Sequence, residues 1–536
     1  MECHCLRLTE LPHTTKLFAD YLENFGRVAK WYGHSPDDTG VVESAREIKL
    51  DSGMRREVVG ILREQNQRLG ADAAVMRNID RLGEGAAAIV SGQQVGLFTG
   101  PAYSFYKAVS AVRWAEHLTS RGIDAVPIFW LATEDHDLAE INHCFWKGRT
   151  GIIEFEMPGK GELSGRPVGE VLLGDEVGNL VETASGSLEG ASSPEIAEAL
   201  RDSYRAGETF GSAFGKLLAK LLAGRGVILI DPLDARLHRL AKDVYRRAAE
   251  KAGELQEALL RRSRELDSDG YHVQVRVTRE TTLLFSIVEG ARQPLRNRNG
   301  KFSLGKQAFT PAELLAAIEE GPELFSANVL LRPIIQDTLL PTAAYLAGPA
   351  EVAYFAQAEV IYRDLLGRMP AILPRPSFTL VEPQIARLLK KYQLTPSDAL
   401  SGRQSLKSKL SLNTLPRALT SRFEKDERTL RRLLRAYRKP LARLDKTLLG
   451  ALETTERKML YQIQKLRGKA GRAENFRTGV LDRHEKAILD SLYPHRGLQE
   501  RTLCLLPFLA SFGPELLDRL TAHAGPSAKG HQVIFL

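Results

Sequence analysis

The pattern of apolar residues in the first third of the chain predicts alternating helices and strands. Residues 54–82 and 103–119 look helical, whereas the short apolar runs at 86–91 and 125–132 are typical of buried strands. Two buried strands joined by a crossover helix form a βαβ unit, so we predict a parallel sheet. A third buried strand, VILID, is expected at 227–231.

The middle of the chain has a different pattern. Residues 150–190 are rich in glycine and glutamate and are expected to be irregular, and a helical stretch is expected at 194–224. Residues 271–277 alternate with period two, residues 282–288 are again strand-like, and Asn299–Gly300 is a hairpin signal. We therefore predict an antiparallel addition to the parallel core.

Strand-like segments return at 329–380, with a break at Gly348–Pro349, and long helices follow after residue 381. One helix carries apolar residues at alternating spacings of four and three, namely Leu430, Leu434, Tyr437, Leu441, Leu444 and Leu448. This spacing predicts a coiled-coil seam, which Pro440 should break or kink because proline lacks a backbone N–H. A partner helix at 453–468 or 479–492 would complete an antiparallel arm. Packing within the chain and dimerisation both explain the seam.

Composition limits the class of protein. A chain of 536 residues is too long for one ordinary core, so two or three domains are expected. Its 43% hydrophobic and 26% charged residues are typical of a globular protein. No apolar run approaches the about 20 residues of a membrane helix, and the first residues do not resemble a signal peptide. Four cysteines are too few for a disulfide framework, so we expect a cytoplasmic protein without membrane contact.

The net charge of +8 is concentrated in one segment. Residues 421–500 hold 20 Lys and Arg against 11 Asp and Glu, a local charge of +9. A basic helical arm could bind nucleic acid, nucleotide phosphates or an acidic partner. The same charge is also typical of a solvated helical surface.

The stretch SGQQVGLFTGPAYSFYK, residues 91–107, joins the first predicted strand to the next helix. Such a loop places backbone N–H groups and the positive helix end at the carboxyl edge of the sheet, where phosphates bind. Gly96 and Gly100 allow close backbone approach or a positive φ, and Pro101 suits a first helical turn. Because the pattern matches neither the P-loop nor the dinucleotide fingerprint, a structural turn explains it as well as a site does.

Four ionisable residues, Glu134, Asp135, His136 and Asp137, follow the second predicted strand at the same edge. Bringing them together is costly unless water, a metal or a cationic substrate solvates them. If a helix follows, His136, Glu140 and His143 share one face, so a divalent metal is conceivable. A capping cluster on a surface helix is the alternative. We predict a functional edge here, without a metal site.

Longer motifs resemble a known family. GQQVGLFTGPAYSFYK, PIFWLATEDHDLAEINH, RPIIQDTLLPTAAYLAGPAEVAYFAQ (332–357), ILPRPSFTL (372–380) and QERTLCLLPFLASFGPELLD (499–518) are similar to the bacterial cysteine ligases of bacillithiol synthesis. The resemblance implies an α/β fold with a Rossmann-like parallel-sheet core related to class I aminoacyl-tRNA synthetases, an inserted connecting domain and an α-helical coiled-coil domain. It also implies the reaction, which adds cysteine to glucosaminyl malate in the last step of bacillithiol synthesis.

The resemblance and the patterns together divide the chain into five segments. The first half of the Rossmann-like core is expected at 1–150, the connecting insertion at 151–225, and the second half of the core with its antiparallel addition at 226–380. The coiled-coil domain is expected at 381–500, and a segment that returns to the core at 501–536.

The sequence departs from the related synthetases at their signature motifs. It has neither their His-Ile-Gly-His motif nor their Lys-Met-Ser-Lys-Ser loop. Thr99–Pro101 and Tyr103–Lys107 occupy the place of the first motif, where Lys107 is the only cation able to meet a phosphate. The zinc-bound cysteine recognition of some relatives has no obvious counterpart, since none of the four cysteines is suitably paired.

These considerations predict an ATP-dependent ligase that forms a carbon–nitrogen bond, with Mg²⁺ as a possible companion ion. Lys107 is expected to meet the phosphates, and His136 or Asp137 to act as the base. The expected nucleotide-binding residues are Gly92, Gln93, Gln94, Gly96, Thr99, Gly100 and Tyr103. The expected substrate-binding residues are Glu134, Asp135, Asn142, His143, Gln336, Asp337, Gly348 and Glu351.

Cysteine and glucosaminyl malate are the expected small-molecule substrates, and we expect a homodimer formed through the coiled coil. Nucleic acid is not an expected ligand of the ligase. The alternative function is a nucleotide-binding scaffold whose basic arm binds nucleic acid or a protein partner.

Overall fold

The structure is a computed structural model, which describes residues 3–157, 165–298, 300–305, 307–412, 415, 417–526 and 530–536. Within these residues, no helix combines the length and the apolar character needed to cross a membrane.

The strands, in chain order, are β1 Cys3–Leu6, β2 Ala87–Gln93, β3 Ala125–Leu131, β4 His143–Lys147, β5 Ile152–Glu156, β6 Ile228–Ile230, β7 Thr281–Val288, β8 Ala291–Arg298, β9 Lys301–Leu304, β10 Gln307–Phe309, β11 Phe325–Ala327, β12 Thr342–Ala347, β13 Ala371–Pro374, β14 Ser377–Val381 and β15 His531–Phe535.

The α-helices of the first 365 residues are α1 Lys16–Glu23, α2 Asp38–Arg46, α3 Ser52–Arg68, α4 Ala73–Glu84, α5 Tyr103–Ser120, α6 Leu138–Ile141, α7 Glu176–Ser187, α8 Ser193–Ser203, α9 Phe210–Leu221, α10 Ala235–Glu250, α11 Ala252–Ser268, α12 Pro311–Glu320, α13 Arg332–Leu339 and α14 Pro349–Leu365. Those that follow are α15 Pro383–Tyr392, α16 Pro396–Leu400, α17 Arg403–Leu412, α18 Arg417–Ala436, α19 Arg438–Leu444, α20 Leu448–Thr478, α21 Val480–Leu492, α22 Gln499–Thr502, α23 Leu506–Phe512 and α24 Glu515–His523.

The core is a five-stranded parallel sheet with the order β13-β12-β2-β3-β6. Alternate residues of β2 face opposite cores: Ala88 and Val90 pack with α14, whereas Ala87 and Ile89 pack with α5. Because helices cover both faces, the strands are buried along almost their whole length, as is typical of parallel sheets. The predicted Rossmann-like parallel core is therefore confirmed.

The antiparallel addition is also confirmed, as a sheet with the order β10-β9-β8-β7-β11. The expected hairpin joins β8 to β9, where Arg298 lies opposite Lys301, although Asn299 itself lies outside the described residues. The strand predicted at 271–277 is wrong. The N–H and the carbonyl of Val275 bond to the side-chain amide of Gln357, at 2.8 and 2.9 Å, and not to a neighbouring strand.

Several predicted segments are divided differently in the structure. The helix expected at 54–82 is two helices, α3 and α4, because the chain turns at Gly70 with a φ of 77°. The helix expected at 194–224 is likewise divided into α8 and α9, and the capping side chain of Thr209 begins α9. The stretch expected to be irregular contains β5 and α7, and the strand-like stretch at 329–380 includes the helices α13 and α14.

The helical arm folds back on itself. Helices α18 and α19 run antiparallel to α20, since Arg431 of α18 meets Glu456 at 3.6 Å and Arg438 of α19 meets Glu453 at 3.9 Å. The partner helix expected at 453–468 is thus part of α20, whereas the alternative at 479–492 corresponds to α21, which packs on α15, α16 and α17. The helix is interrupted between α18 and α19, and Pro440 lies in the first turn of α19.

The predicted seam is only partly covered within the chain. Leu434 is buried, whereas Tyr437 and Leu444 are 53% and 79% exposed. Packing within the chain therefore accounts for part of the seam, and dimerisation stays a prediction.

The last strand links the two ends of the chain. Strand β15 pairs antiparallel with β1 and parallel with β14, which begins three residues after β13 of the core sheet ends. The C-terminal residues are therefore anchored beside the carboxyl edge of the core sheet.

Candidate active site

A cavity of about 530 Å³ opens at the carboxyl edge of the core sheet. It lies at the ends of β2 and β12, the neighbouring strands between which the strand order reverses. Ligands of open α/β sheets bind at such a reversal, because the loops leaving the two strands diverge to opposite faces. Its charged and polar lining includes Gly92, Gln93, Gln94, Tyr103, Lys107, Glu134, Asp135, Glu140, Arg292, Arg332, Gly348, Glu351, Arg375 and Arg501.

Two charged residues from helices on opposite faces of the sheet meet at the floor of the cavity. Lys107 of α5 is 2% exposed, and its Nζ lies 2.6 Å from Oε2 of Glu351 in the first turn of α14. Lys107 also donates to the carbonyl of Gly92 at 2.8 Å. Glu351 accepts from the N–H of Gly348 and the hydroxyl of Tyr345, at 2.6 and 2.7 Å.

The two groups of this ion pair respond oppositely to burial. Burial lowers the pKa of Lys107, partly offset by Glu351. Burial alone would raise the pKa of Glu351, but Lys107 and the two hydrogen-bond donors hold it below its usual range. The lowered pKa keeps Glu351 charged at neutral pH, and its carboxylate faces the Lys107 amine at 2.6 Å.

Arginines form one wall of the cavity. Arg332 begins α13 and lies 5.3 Å from the ring of Tyr345, and its guanidinium donates to Gln336 at 2.9 Å. The guanidinium carbons of Arg375 and Arg501 lie 5.2 and 5.9 Å from the centroid of the Tyr103 ring. Arginine forks match carboxylate and phosphate groups, so this wall is suited to an anionic ligand.

The C-terminal part of the chain holds Arg375 in place. Its Nη2 donates to Oε1 of Glu500 at 2.7 Å, and Glu500 also accepts from the Ser377 hydroxyl and the N–H of Phe378. Glu500 is 1% exposed, and Arg375 and its hydrogen-bond donors keep its pKa low despite burial. Because Glu500 and Arg501 both come from α22, the C-terminal domain completes the cavity.

Carboxylates lie on the opposite wall, at the end of β3. Asp135 accepts from Nε2 of Gln94 at 2.6 Å, and Glu140 accepts from the same nitrogen at 2.8 Å. Glu134 is more deeply buried, and its Oε1 lies 3.6 Å from Nε2 of His238. Burial raises the pKa of Glu134, although His238 and Arg292 oppose the change. The cavity thus offers carboxylates to an amine and arginines to acids, with Arg292 and Arg332 near enough to Glu134 to lower its pKa.

Two family models together match almost the whole chain. Residues 1–376 match the model described as "Bacillithiol biosynthesis BshC, N-terminal Rossmann-like domain", and residues 378–536 match "Bacillithiol biosynthesis BshC, C-terminal coiled-coil domain". The chain belongs to the BshC family. The family resemblance indicated by the sequence motifs is confirmed.

Individual relatives agree over their full length. A protein of Koribacter versatilis named "Putative cysteine ligase BshC" is 45% identical over 531 residues, covering 99% of both chains. A protein of Solibacter usitatus with the same name is 37% identical over 537 residues, covering 100% of both. A solved structure titled as a putative arginyl tRNA synthetase from Campylobacter jejuni is 10% identical and covers 83% of this chain and 94% of its own, with a TM-score of 0.23. That score is too low to support an argument, so the relation to class I synthetases stays a prediction.

The structure separates the predicted nucleotide-binding residues of this BshC chain into two groups. Gly92, Gln93, Gln94 and Tyr103 line the cavity. Gly96, Thr99 and Gly100 do not line it, since the loop turns back into the core beneath the sheet edge.

The close backbone approach expected for this loop occurs within the loop itself. A Cβ on Gly96 would come 3.1 Å from the Cα of Gly100. Thr99 is fully buried, lies 3.9 Å from the sulfur of Cys504 and has a φ of 75°. The glycines therefore serve the packing of a strained turn.

The two residues expected to act as the base do not line the cavity. Asp137 is exposed and caps α6, accepting from the N–H of Glu140 at 3.2 Å. The Nδ1 of His136 accepts from Arg292 at 3.1 Å, and its ring packs against Phe285. Because the lone pair of a neutral imidazole is then already used, His136 is poorly placed to take a proton. The capping alternative holds for Asp137.

The predicted substrate-binding residues also fall into two groups, those that line the cavity and those that do not. Gly348, Glu351, Glu134 and Asp135 line the cavity. Gln336 and Asp337 are buried one layer behind it, where Gln336 orients Arg332. Asn142 and His143 lie outside the cavity: Asn142 donates to the carbonyl of Met157 at 3.1 Å, and His143 begins β4.

The histidine spacing does not form a metal site. Helix α6 spans only Leu138–Ile141, so His136 and His143 lie outside it and do not share a helical face with Glu140. Within the described ranges, no group of three or more His, Cys, Asp or Glu side chains is arranged to hold a metal ion.

Sequence reasoning missed the arginines. Arg332, Arg375 and Arg501 each lie inside a family motif, and two of them stand next to a proline at the start of a helix or the end of a strand. That position at the sheet edge was an available signal. Arg292 had none, because it belongs to the antiparallel sheet and reaches the cavity only through the fold.

Proposed function

We propose that this protein joins the carboxyl group of cysteine to the amine of glucosaminyl malate, with ATP supplying the activation. The observation that supports the proposal most strongly is the charge of the cavity, with carboxylates after β3 and arginines from α13, from the end of β13 and from α22. Glucosaminyl malate carries an amine and two carboxylates, so it complements both walls. The names of the relatives, cysteine ligases of the BshC family, agree with this reaction class.

Each wall has a separate task in this reaction. Arg375 and Arg501 would bind the malate carboxylates or the nucleotide phosphates, since their forks give paired hydrogen bonds to such groups. Arg332 would neutralise negative charge that develops on phosphate oxygens during activation. Glu134 and Asp135 would attract the ammonium form of the acceptor amine.

Lys107 has a different role from the phosphate contact that its sequence position suggested. Because its ammonium is already paired with Glu351 and bonded to Gly92, we assign it to fixing the N-terminus of α14 beside the ligand. Mg²⁺ would accompany ATP as its usual counter-ion. Its protein ligands are usually carboxylate oxygens, and Asp135 and Glu140 supply such oxygens in the cavity.

The test is direct synthesis. Purified protein is incubated with cysteine, ATP and glucosaminyl malate, and mass spectrometry follows the new thiol, with each component omitted in turn. We expect product only in the complete mixture. The Arg375→Met variant should lose most of the activity, whereas Arg422→Met on the exposed arm is the matched control and should keep it. A complete mixture that yields no thiol would refute the proposal.

A second candidate function is a scaffold whose arm binds nucleic acid or a protein. The observation in its favour is the exposed basic surface of α18–α20, where side chains such as Arg422 and Arg438 are 70% and 64% exposed. Charge reversal on the arm would abolish the activity of a scaffold and spare that of a ligase. The cavity variants would have the opposite effect.

A further inference from the structure

We propose that Glu134 accepts the proton from the acceptor amine and that His238, backed by Tyr245, is the positioning residue behind it. This inference rests on the proposed function and names the group that activates the amine. Glu134 lines the cavity, while His238 and Tyr245 lie on α10 outside it.

The carboxylates that line the cavity differ in their hydrogen bonds. Asp135 accepts from Gln94 and from the N–H of His136, Glu140 accepts from Gln94, and Glu351 is paired with Lys107. Within the described residues, the carboxylate of Glu134 accepts no hydrogen bond. A carboxylate that is already paired or bonded is a weak base, because those contacts stabilise its charged form. Glu134 is therefore the cavity carboxylate best prepared to take a proton.

Two buried side chains stand behind Glu134 in a line. Nε2 of His238 lies 3.6 Å from Oε1 of Glu134, and Nδ1 of His238 lies 3.1 Å from the hydroxyl of Tyr245. Burial raises the pKa of Tyr245 well above its ordinary value, so its hydroxyl keeps its hydrogen. In the proposed arrangement this hydroxyl donates to Nδ1, and the imidazole hydrogen lies on Nε2, where it faces Glu134.

At 3.6 Å the contact is longer than a hydrogen bond, so His238 acts through its charge distribution and by filling the space behind the carboxylate. This arrangement leaves the other carboxylate oxygen for the ligand.

Proton transfer from the acceptor to Glu134 comes before the new bond forms. The acceptor enters as an ammonium, and Glu134 takes one proton from it. The free amine attacks the carboxyl carbon of cysteine that ATP has activated as a mixed anhydride with phosphate. A carbon–nitrogen bond forms, the bond from that carbon to the anhydride oxygen breaks, and its electron pair leaves with the phosphate group. The second proton of the nitrogen is lost as the amide forms, and Glu134 releases its own proton to water.

The first test compares Glu134→Gln with the wild type and with Glu57→Gln, a matched control at an exposed position on α3, outside the cavity. At saturating glucosaminyl malate we expect Glu134→Gln to lower kcat about 100-fold or more, which is the usual contribution of a general base. Its affinity for glucosaminyl malate should fall as well, because the ammonium loses one carboxylate. Calorimetry measures that affinity, and the melting temperature shows whether the variant folds. Glu57→Gln should keep nearly full kcat.

The second test uses the pH dependence of kcat. Several charged groups surround Glu134: His238, Arg292 and Arg332 lower its pKa, and Asp231 raises it. The rate should rise with pH as Glu134 loses its proton. His238→Phe removes one interaction that lowers this pKa, so the acidic limb should move to higher pH. His238→Gln keeps an amide N–H and should return the limb toward its wild-type position.

The outcomes are distinct. A wild-type protein that forms no amide overturns the proposed function and this inference together. Normal kcat in Glu134→Gln overturns the inference alone, as does a variant that loses affinity but reaches full kcat at saturation, since Glu134 would then only bind the amine. An acidic limb that stays unchanged in His238→Phe removes His238 from the arrangement.

Discussion

The buried ion pair between Lys107 and Glu351 gives the most quantitative prediction. Replacing Glu351 with glutamine removes the negative charge and keeps the size of the side chain. Lys107 would then remain as a buried cation, 2% exposed, whose partner at 2.6 Å is gone. An uncompensated buried charge is costly because the protein interior solvates it poorly.

The magnitude follows from the contacts that survive. Breaking a buried pair by removing one partner costs about 3–5 kcal/mol. Lys107 keeps the carbonyl of Gly92 at 2.8 Å and the side-chain oxygen of Gln93 at 3.2 Å, and glutamine can still accept from one donor. We therefore expect a loss at the lower end, about 3 kcal/mol. Adding Lys107→Met to Glu351→Gln should recover part of it, since the unpaired charge disappears.

Urea denaturation of the wild type, both single variants and the double variant measures these free energies of unfolding. The folded pKa of Glu351 is lower than its unfolded value of about 4.5, so its contribution is present above pH 4.5 and is lost as the pH falls through the folded pKa. The difference between wild type and Glu351→Gln should narrow in acid for this reason. A loss under about 1 kcal/mol at pH 7, or a double variant less stable than Glu351→Gln, would refute the reasoning.

Three further predictions use other parts of the structure. Gly100→Val should lower the melting temperature, at a cost of about 1–3 kcal/mol, because the φ of 65° at Gly100 strains a branched residue; unchanged melting would contradict this. If the protein dimerises through its arm, Leu444→Asp should yield monomers in light scattering and keep the helical circular dichroism signal. Leu434→Asp changes a buried position and should reduce that helical signal. A monomeric wild type would exclude the dimer. Arg375→Lys should raise KM for glucosaminyl malate about tenfold, since lysine lacks the planar fork, and should also lower the melting temperature, because Arg375 is buried against Glu500; an unchanged KM would place the acid elsewhere.

The parts of the fold that depend on local pattern could be predicted from the sequence. Strand β3 is apolar at every position and β2 is apolar from Ala87 to Val90 because both faces of the sheet are covered, so their sequences indicated a parallel sheet. The strand predicted at 271–277 is wrong because the hydrogen-bond partner of this segment is distant in the sequence. Its alternation is typical of a strand, but a side-chain amide, that of Gln357, satisfies the backbone of Val275, and no local pattern reports such a partner.

Candidate site residues were predictable where the chain leaves a strand. Glu134 and Asp135 follow β3 directly, and the direction of a parallel strand fixes the edge at which they emerge. His136 and Asp137 are equally close in sequence, yet they turn away, because successive residues of a loop point in different directions. Adjacency along the chain thus identifies the edge, whereas the side chain that enters the cavity depends on tertiary contacts such as the one between Arg292 and His136.

The arginine wall shows why the C-terminal domain belongs to the site. Arg375 follows β13, but its guanidinium is oriented by Glu500, more than a hundred residues later, and Arg501 comes from the same short helix. Strand β15 fixes that region by pairing with β14, and His531 of β15 hydrogen-bonds Ser377, which in turn bonds Glu500. A buried arginine without Glu500 would carry an unpaired charge at the cavity wall. The arginine wall therefore depends on the contacts that the C-terminal strand makes with β14 and Ser377.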